Sequence, residues 1–436
     1  MTEVQDQSKR RCPFLTHDGH LQPDATFADP EVRSNPWPYY EALRRDDPVH
    51  YDTKLDMYLV SRFEDLQKVL TDPITFSVKH GYDEQNAKGF QEEFRDILER
   101  EGGGFFHGAI MTDPPEHTRV RRLMEKAFTA HRVKQLEPQA REIAIELIES
   151  IADKGAADGV NDLAATMTIR FICKQLGLHD IEPSKVAAWS EAAVAQIGRM
   201  QDREQMLEHA RLYCEMQNHL VRLIRERQQQ RTEDMISDLV YAQLDDEEKP
   251  TLDFGEIVSL SETLLVGGND TTATGITNLL IALATRPEVA KLLRDSYEDD
   301  RAMTRFVEEL LRIEPPTHGL SRMTTREVEL GGKVLPNGAH LLLLYASGND
   351  DPATFPSPRS FDVSRGNLVR HVTFGSGVHR CVGLALARME IKIAAQEIAR
   401  RLDDIRLAVP LEKLTYYPTV ATRHPTHLPL TFKRRA

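Results

Sequence analysis

The chain has 436 residues, with 55 Lys and Arg against 68 Asp and Glu, a formal net charge of −13. An apolar share of 40% suits a globular chain with a large core, and the acidic balance argues against broad nucleic-acid binding, which needs a basic face. Cys12, Cys173, Cys214 and Cys381 show no C-x-x-C spacing, the N-terminus is charged, and there is no run of about 18 apolar residues. These features predict a cytoplasmic protein with no disulfide framework, signal peptide or membrane anchor.

Residues 1–34 read as a polar N-terminal arm, and residues 35–436 as one domain, since no Pro/Gly/Ser-rich linker divides them. Val49–Tyr51 and Met57–Val60 suggest two short strands, and a helix is expected over Phe63–Leu70, stopped near Pro73. Residues 74–112 look less regular, with Gly102-Gly103-Gly104 marking a loop and Phe90, Phe94, Phe105 and Phe106 giving it apolar character. Long loops of this kind are often functional lids. From 116 to 313 a 3.6-residue period dominates, with helices expected over 116–128, 133–153, 161–176, 184–198, 203–228 and 253–286. After 313 the pattern turns mixed: strands at Val328–Leu330 and His340–Tyr345, a loop-rich stretch from Ser347 to Gly377, a helix from Cys381 to about Leu402, and a closing strand over His424–Lys433. The expected fold is mainly α, with a small β-sheet region.

The most informative stretch is Phe374-Gly375-Ser376-Gly377-Val378-His379-Arg380-Cys381-Val382-Gly383. A tight glycine loop here presents one sulfur at the start of a helix, where positive potential favours the thiolate. A lone thiolate suits an axial haem ligand better than zinc. A buried structural cysteine is the plainer alternative.

A second feature sits inside the 253–286 helix, where Gly267-Gly268 precedes Asn269-Asp270-Thr271-Thr272. Two mid-helix glycines cost roughly 1 kcal/mol each, so the chain needs close approach or a distortion there. Asp270 and Thr271 form an acid–hydroxyl pair able to relay protons, unless they merely face solvent. Glu309 and Arg312 lie three apart on a helix ending at Pro315-Pro316 and share a face, a spacing common on solvated surfaces. His117 and Arg121 are one turn apart and could jointly hold carboxylates, or be an ordinary basic face. Cys12, His17 and His20 lack a fourth ligand candidate, so no metal site is read there. Walker A, G-x-S-x-G, H-E-x-x-H and G-x-G-x-x-G patterns are absent, which argues against a built-in nicotinamide or flavin domain.

The Phe374–Gly383 stretch resembles the haem-ligand loop of the cytochrome P-450 family, Phe-Gly-x-Gly-x-His/Arg-x-Cys-x-Gly, at every fixed position. Gly267–Thr271 is similar to the family's oxygen-binding motif, and Glu309–Arg312 to its Glu-x-x-Arg. The resemblance runs from about Asn35 to the end, with the motifs in family order. It implies the mainly α P-450 fold and a haem-thiolate monooxygenase holding haem b (iron protoporphyrin IX). Cys381 would be the axial iron ligand, with Phe374, Gly375 and Gly383 shaping its loop and Gly267 and Gly268 leaving room for oxygen and substrate. Asp270 and Thr271, with water, would deliver protons. His117, Arg121, His379 and Arg322 would contact the propionates. Arg365, or second Arg359, would complete a structural network with Glu309 and Arg312. An apolar small-molecule substrate would meet Phe105, Phe106, Thr263, Val266, His318 and Val420, with His318 as a polar option for orienting it. Electrons from NAD(P)H would arrive through an external ferredoxin and ferredoxin reductase, steered by Arg122, Lys126, Arg132, Lys134 and Arg380 once Arg121 is occupied. A peroxide-using haem-thiolate enzyme and a non-enzymatic haem-thiolate sensor are the rival functions, with a cysteine hydrolase more remote.

Overall fold

The computed structural model describes residues 14–79, 90–106, 111–126, 130–198, 201–245 and 248–435. Cys12, the start of the arm, and parts of the expected lid (80–89 and 107–110) lie outside them. The helices that build the site are α1 (Phe90–Glu101), α2 (Glu116–Glu125), α3 (Ala130–Ala152), α4 (Ala165–Leu176), α5 (Pro183–Gly198), α6 (Arg203–Gln229), α7 (Phe254–Thr285), α8 (Asp300–Ile313) and α9 (Leu384–Arg401). Five strands, β1 (Val49–Asp52), β2 (Met57–Val60), β3 (Phe76–Ser77), β4 (Gly319–Thr324) and β5 (His340–Leu344), pair in the order β1-β2-β5-β4-β3. Only β2 and β5 run parallel; the other pairs are antiparallel.

Helix α7 runs 32 residues through the largest core cluster and packs on α4, α5, α6 and α9. A capping box starts it: the Asp253 carboxylate accepts the Glu256 N–H, and Glu256 accepts the Asp253 N–H, each at 2.8 Å. Pro287 follows its C-cap, Arg286.

Several elements depart from expectation. Phe90–Glu101 is a helix inside the stretch read as irregular. Its Phe94, Ile97 and Leu98 bury against Met206, Ala210 and Cys214 of α6, which is helical spacing overlooked beside the Gly102–Gly104 loop. Strand β4 was unexpected; it pairs with β5 at Gly319↔Leu344, a long-range register invisible locally. The closing strand begins at Pro429 and pairs with Leu402–Leu407 and Ala156–Asp158. From Phe14 onward the arm is part of the body: Phe14, Phe27 and Val32 are buried with Tyr39 and Tyr40, and Asp52 accepts the Phe27 N–H at 2.8 Å.

Candidate haem-thiolate site

Most of the middle of α7 is buried. Thr263, Val266, Gly267, Asp270 and Thr271 are partly or fully exposed, and their 3-1-3-1 spacing makes one continuous stripe. A Cβ built on Gly267 meets nothing within 4 Å, so the stripe borders open space. Gly268 answers the close-approach expectation, since its Cβ would lie 3.1 Å from Ile172 of α4. Thr271 Oγ1 donates to the Gly267 carbonyl at 2.8 Å, leaving its lone pairs toward the stripe free to accept. Asp270 Oδ1 lies 3.6 Å from His424 Nε2, and its Oδ2 is buried without a partner.

The cysteine loop is shaped by left-handed glycines, Gly375 at φ 68° and Gly377 at φ 67°. Any side chain at Gly377 would run into the Leu70 carbonyl. The Cys381 N–H donates to the Phe374 carbonyl at 2.8 Å, and α9 begins three residues after Cys381. Burial pushes the Cys381 thiol up, opposed by the Gly383 N–H and by Arg121, Arg388 and Arg380. Helices α7 and α9 meet at Gly275, where a Cβ would press on Ile391.

A donor cluster accompanies these elements. The His117 and His379 rings are 4.0 Å apart between centroids, and His117 Nδ1 and His379 Nε2 are buried without partners. Burial, then Arg121, lowers His117 to about 4. Burial, then His117, Arg322 and Arg121, lowers His379 to about 3. Two unpartnered imidazole nitrogens beside two guanidiniums form a donor set suited to carboxylates. With one sulfur at a helix start and an open glycine stripe, this set fits haem b with its two propionates. Among the described residues no group of three or more His, Cys, Asp or Glu could hold a bare metal ion.

The charge network is built around Glu309, which is fully buried. Arg312 bonds it through Nε and Nη2, both at 2.8 Å, and Arg365 Nε reaches it at 3.0 Å. Arg359, the second choice, instead bonds the Ile313 carbonyl at 2.7 Å and pairs with Glu314.

Four residues expected at the pocket have these neighbours in the fold. His318 is buried, and its Nδ1 shares a 2.9 Å hydrogen bond with Tyr40 OH, so this nitrogen is engaged by the N-terminal region and does not orient a guest. Val420 is a core residue of the cluster formed by Phe14, Tyr39 and Leu342. Phe105 packs with the α1–α6 cluster beneath Arg95, 4.8 Å from its ring. Phe106 lies against Gly255 in the first turn of α7. Part of the expected basic patch also has partners within the chain: exposed Lys126 bonds the Gln243 carbonyl, half-buried Arg132 pairs with Asp238 at 3.3 Å, and Arg122 is engaged as well. Arg121 already holds Glu125 at 2.7 Å and the Arg380 carbonyl at 2.6 Å. Sequence reasoning missed His424 beside Asp270, and the Glu308–His371–Arg388 group behind Phe374. Both join residues from distant parts of the chain, and no local spacing signals them.

A mainly α fold that combines one cysteine just ahead of a helix with a long helix carrying two glycines, an acid and an alcohol defines a haem-thiolate protein. Residues 198–403 match the family model for cytochrome P450. The chain is 31% identical to cytochrome P450 monooxygenase PikC of Streptomyces venezuelae, covering 93% of this chain and 92% of that protein. It is 34% identical to mycinamicin IV hydroxylase/epoxidase of Micromonospora griseorubida, over 86% and 90%. The solved cytochrome P450 CYP109Q5 from Chondromyces apiculatus superposes with a TM-score of 0.81 at 31% identity, over 95% and 99%. The chain belongs to the cytochrome P450 family and is a haem-dependent monooxygenase of the bacterial type. No described helix is long and apolar enough to cross a membrane.

Proposed function

We propose that this P450 inserts one oxygen atom of O2 into an apolar C–H bond of a small organic substrate, with electrons from NAD(P)H delivered by a ferredoxin and its reductase in the cytoplasm. The observation that carries this reading is the open stripe of α7, which holds an acid, an alcohol and an unfilled glycine position on one face. When bound, a thiolate-ligated haem supplies dioxygen activation, with the thiolate pushing electron density to favour O–O cleavage.

The chain's own residues divide the remaining work. Cys381 provides the thiolate, held by its loop and met by the Gly383 N–H. His117, Arg121, Arg322 and His379 hold the propionates. Thr271 Oγ1, fixed on the Gly267 carbonyl, accepts a hydrogen bond from water and aligns it. Asp270 passes protons into that water. Thr263 and Val266 line the substrate side with Gly267. Arg380 and Lys134 are exposed cations open to an acidic ferredoxin.

This acid–alcohol pair favours the oxygen-using reading over the peroxide-using one. The test uses purified holoenzyme with a surrogate ferredoxin and reductase. Substrates are screened by the iron spin-state shift and then by NAD(P)H-dependent hydroxylation. Hydroxylated product that requires O2, and a CO complex with the far-red-shifted thiolate band that Cys381→Ser abolishes, are the expected results. Turnover with peroxide alone, or a normal band in Cys381→Ser, overturns the reading.

A further inference from the structure

Glu308 and Glu309 are neighbours on α8, yet they serve different arginines. Glu309 anchors Arg312 and Arg365, whereas Glu308 takes Arg388 of α9 in a fork, with Nε–Oε1 at 2.5 Å and Nη2–Oε2 at 2.8 Å. His371, just ahead of the cysteine loop, places Nε2 3.0 Å from the same Glu308 Oε2. The Thr373 N–H points at His371 Nδ1 from 3.3 Å, so Nδ1 accepts and Nε2 carries the proton given to Glu308. Burial opposes ionisation of Glu308, but the bonds from His371 and Arg388 outweigh it and hold the carboxyl at about 2. Burial keeps His371 neutral. The group is therefore an anion, a cation and one oriented neutral imidazole.

Both partners of Glu308 converge on Phe374. The Arg388 guanidinium carbon stands 4.6 Å from the centre of the Phe374 ring, and the His371 ring is 6.0 Å from it. The Phe374 carbonyl accepts the N–H of Cys381 at 2.8 Å. A cation over an aromatic face is attracted to it, and the two-point fork to Glu308 fixes the angle of approach. The arrangement is neutral in sum but directed, with its positive end toward the cysteine loop.

We propose that Arg388 is a positioning residue for the Cys381 ligand: aimed by Glu308 and His371 and stacked on Phe374, its charge sets how strongly the thiolate donates to bound haem, and with it the haem reduction potential. This rests on Cys381 being the haem ligand. Reduction adds negative charge to the haem–thiolate unit, so a nearby cation in a low-dielectric surround favours the reduced form. Packing alone has no such sign. A loosened loop would move the potential the same way whichever partner was removed.

The experiment is a potentiometric titration of the ferric–ferrous couple in holoenzyme, followed by the Soret band, with the iron–sulfur stretch read by resonance Raman. The wild-type CO complex is recorded first. If it lacks the thiolate band, the ligand assignment fails, independently of Arg388. Arg388→Met is expected to lower the potential, giving a several-fold smaller ferrous-to-ferric ratio at a fixed applied potential, and to shift the iron–sulfur stretch. Arg388→Lys, which keeps the charge, should restore most of both. Glu308→Gln, which removes the negative partner but keeps an acceptor, should raise the potential. The proposal is overturned if Met and Lys shift the couple alike, or if Glu308→Gln moves it in the same direction as Arg388→Met. Should Arg388→Met fail to retain haem, the sign of the Glu308→Gln shift still decides: a downward or null shift overturns the proposal.

Discussion

Replacing Glu309 with Ala removes four hydrogen bonds from one fully buried carboxylate: two from Arg312, one from Arg365 and one from the Asp362 N–H. Hydrogen bonds to charged groups contribute about 1.5–3 kcal/mol each, so a simple sum would exceed about 6 kcal/mol. That sum overstates the loss. Arg312 keeps the Asn349 and Pro358 carbonyls, and Arg365 keeps those of Pro356, Ser357 and Ser360. What remains is two guanidiniums in a dry interior without their counter-charge, and breaking a buried pair in this way costs about 3–5 kcal/mol. A domain's whole stability is about 5–15 kcal/mol, so haem loss and poor expression should follow. Urea unfolding of holoprotein, followed by far-UV circular dichroism and by the Soret band, measures it. Glu309→Gln should lose less, because its amide oxygen still accepts from Arg365 and Asp362. Lys291→Ala, which breaks an exposed pair with Asp295, is the control and should leave the midpoint in place. A Glu309→Ala protein within about 1 kcal/mol of wild type and replete in haem would refute the claim that this network supports the fold.

Thr271→Ala should keep fold and haem, because only a hydroxyl bonded to its own helix is lost; peroxide release per NAD(P)H should rise at the expense of product, and unchanged coupling would assign the relay elsewhere. Glu262 is buried in α7, accepts the Tyr213 hydroxyl at 3.2 Å, and burial raises its carboxyl to about 8. The unfolded chain releases this proton from about pH 4.5 upward while the folded chain keeps it, so stability falls as pH rises from there to about 8. Glu262→Gln should flatten that slope, with a gain on the order of a few kcal/mol at pH 8 in chemical denaturation; an unchanged slope would mean the group ionises freely in the native state. Gly377→Ala should abolish haem incorporation, since a Cβ there strikes the Leu70 carbonyl at a left-handed φ, whereas Gly267→Ala should fold normally; equal behaviour of the two in absorbance per protein would contradict the loop geometry.

Periodicity carried the long helices. The capping box at Asp253 and Pro287 bracket α7 to within a residue of its expected span, because caps and prolines act through bonds to their immediate neighbours. The cysteine loop was legible for a similar reason: left-handed turns demand glycine, and its two glycines flank Ser376 as the geometry requires. Arg365, chosen from sequence, does join Glu309 in space. Tertiary structure alone decided what long-range pairing controls. Strand β4 exists because β5 offers it an edge, and α1 is held by its apolar row against α6. His318 and Val420 lie at positions where a pocket was expected, yet Tyr40 takes the Nδ1 of one and the N-terminal core buries the other. Of the cations expected at a docking face, Lys126 and Arg132 bond Gln243 and Asp238, which follow them by more than a hundred residues. A side chain's partner depends on which distant segments the fold brings beside it. Residue type and local spacing therefore specified the chemistry this chain carries, while three-dimensional packing selected which of those groups face the open stripe of α7 and which are spent in the core.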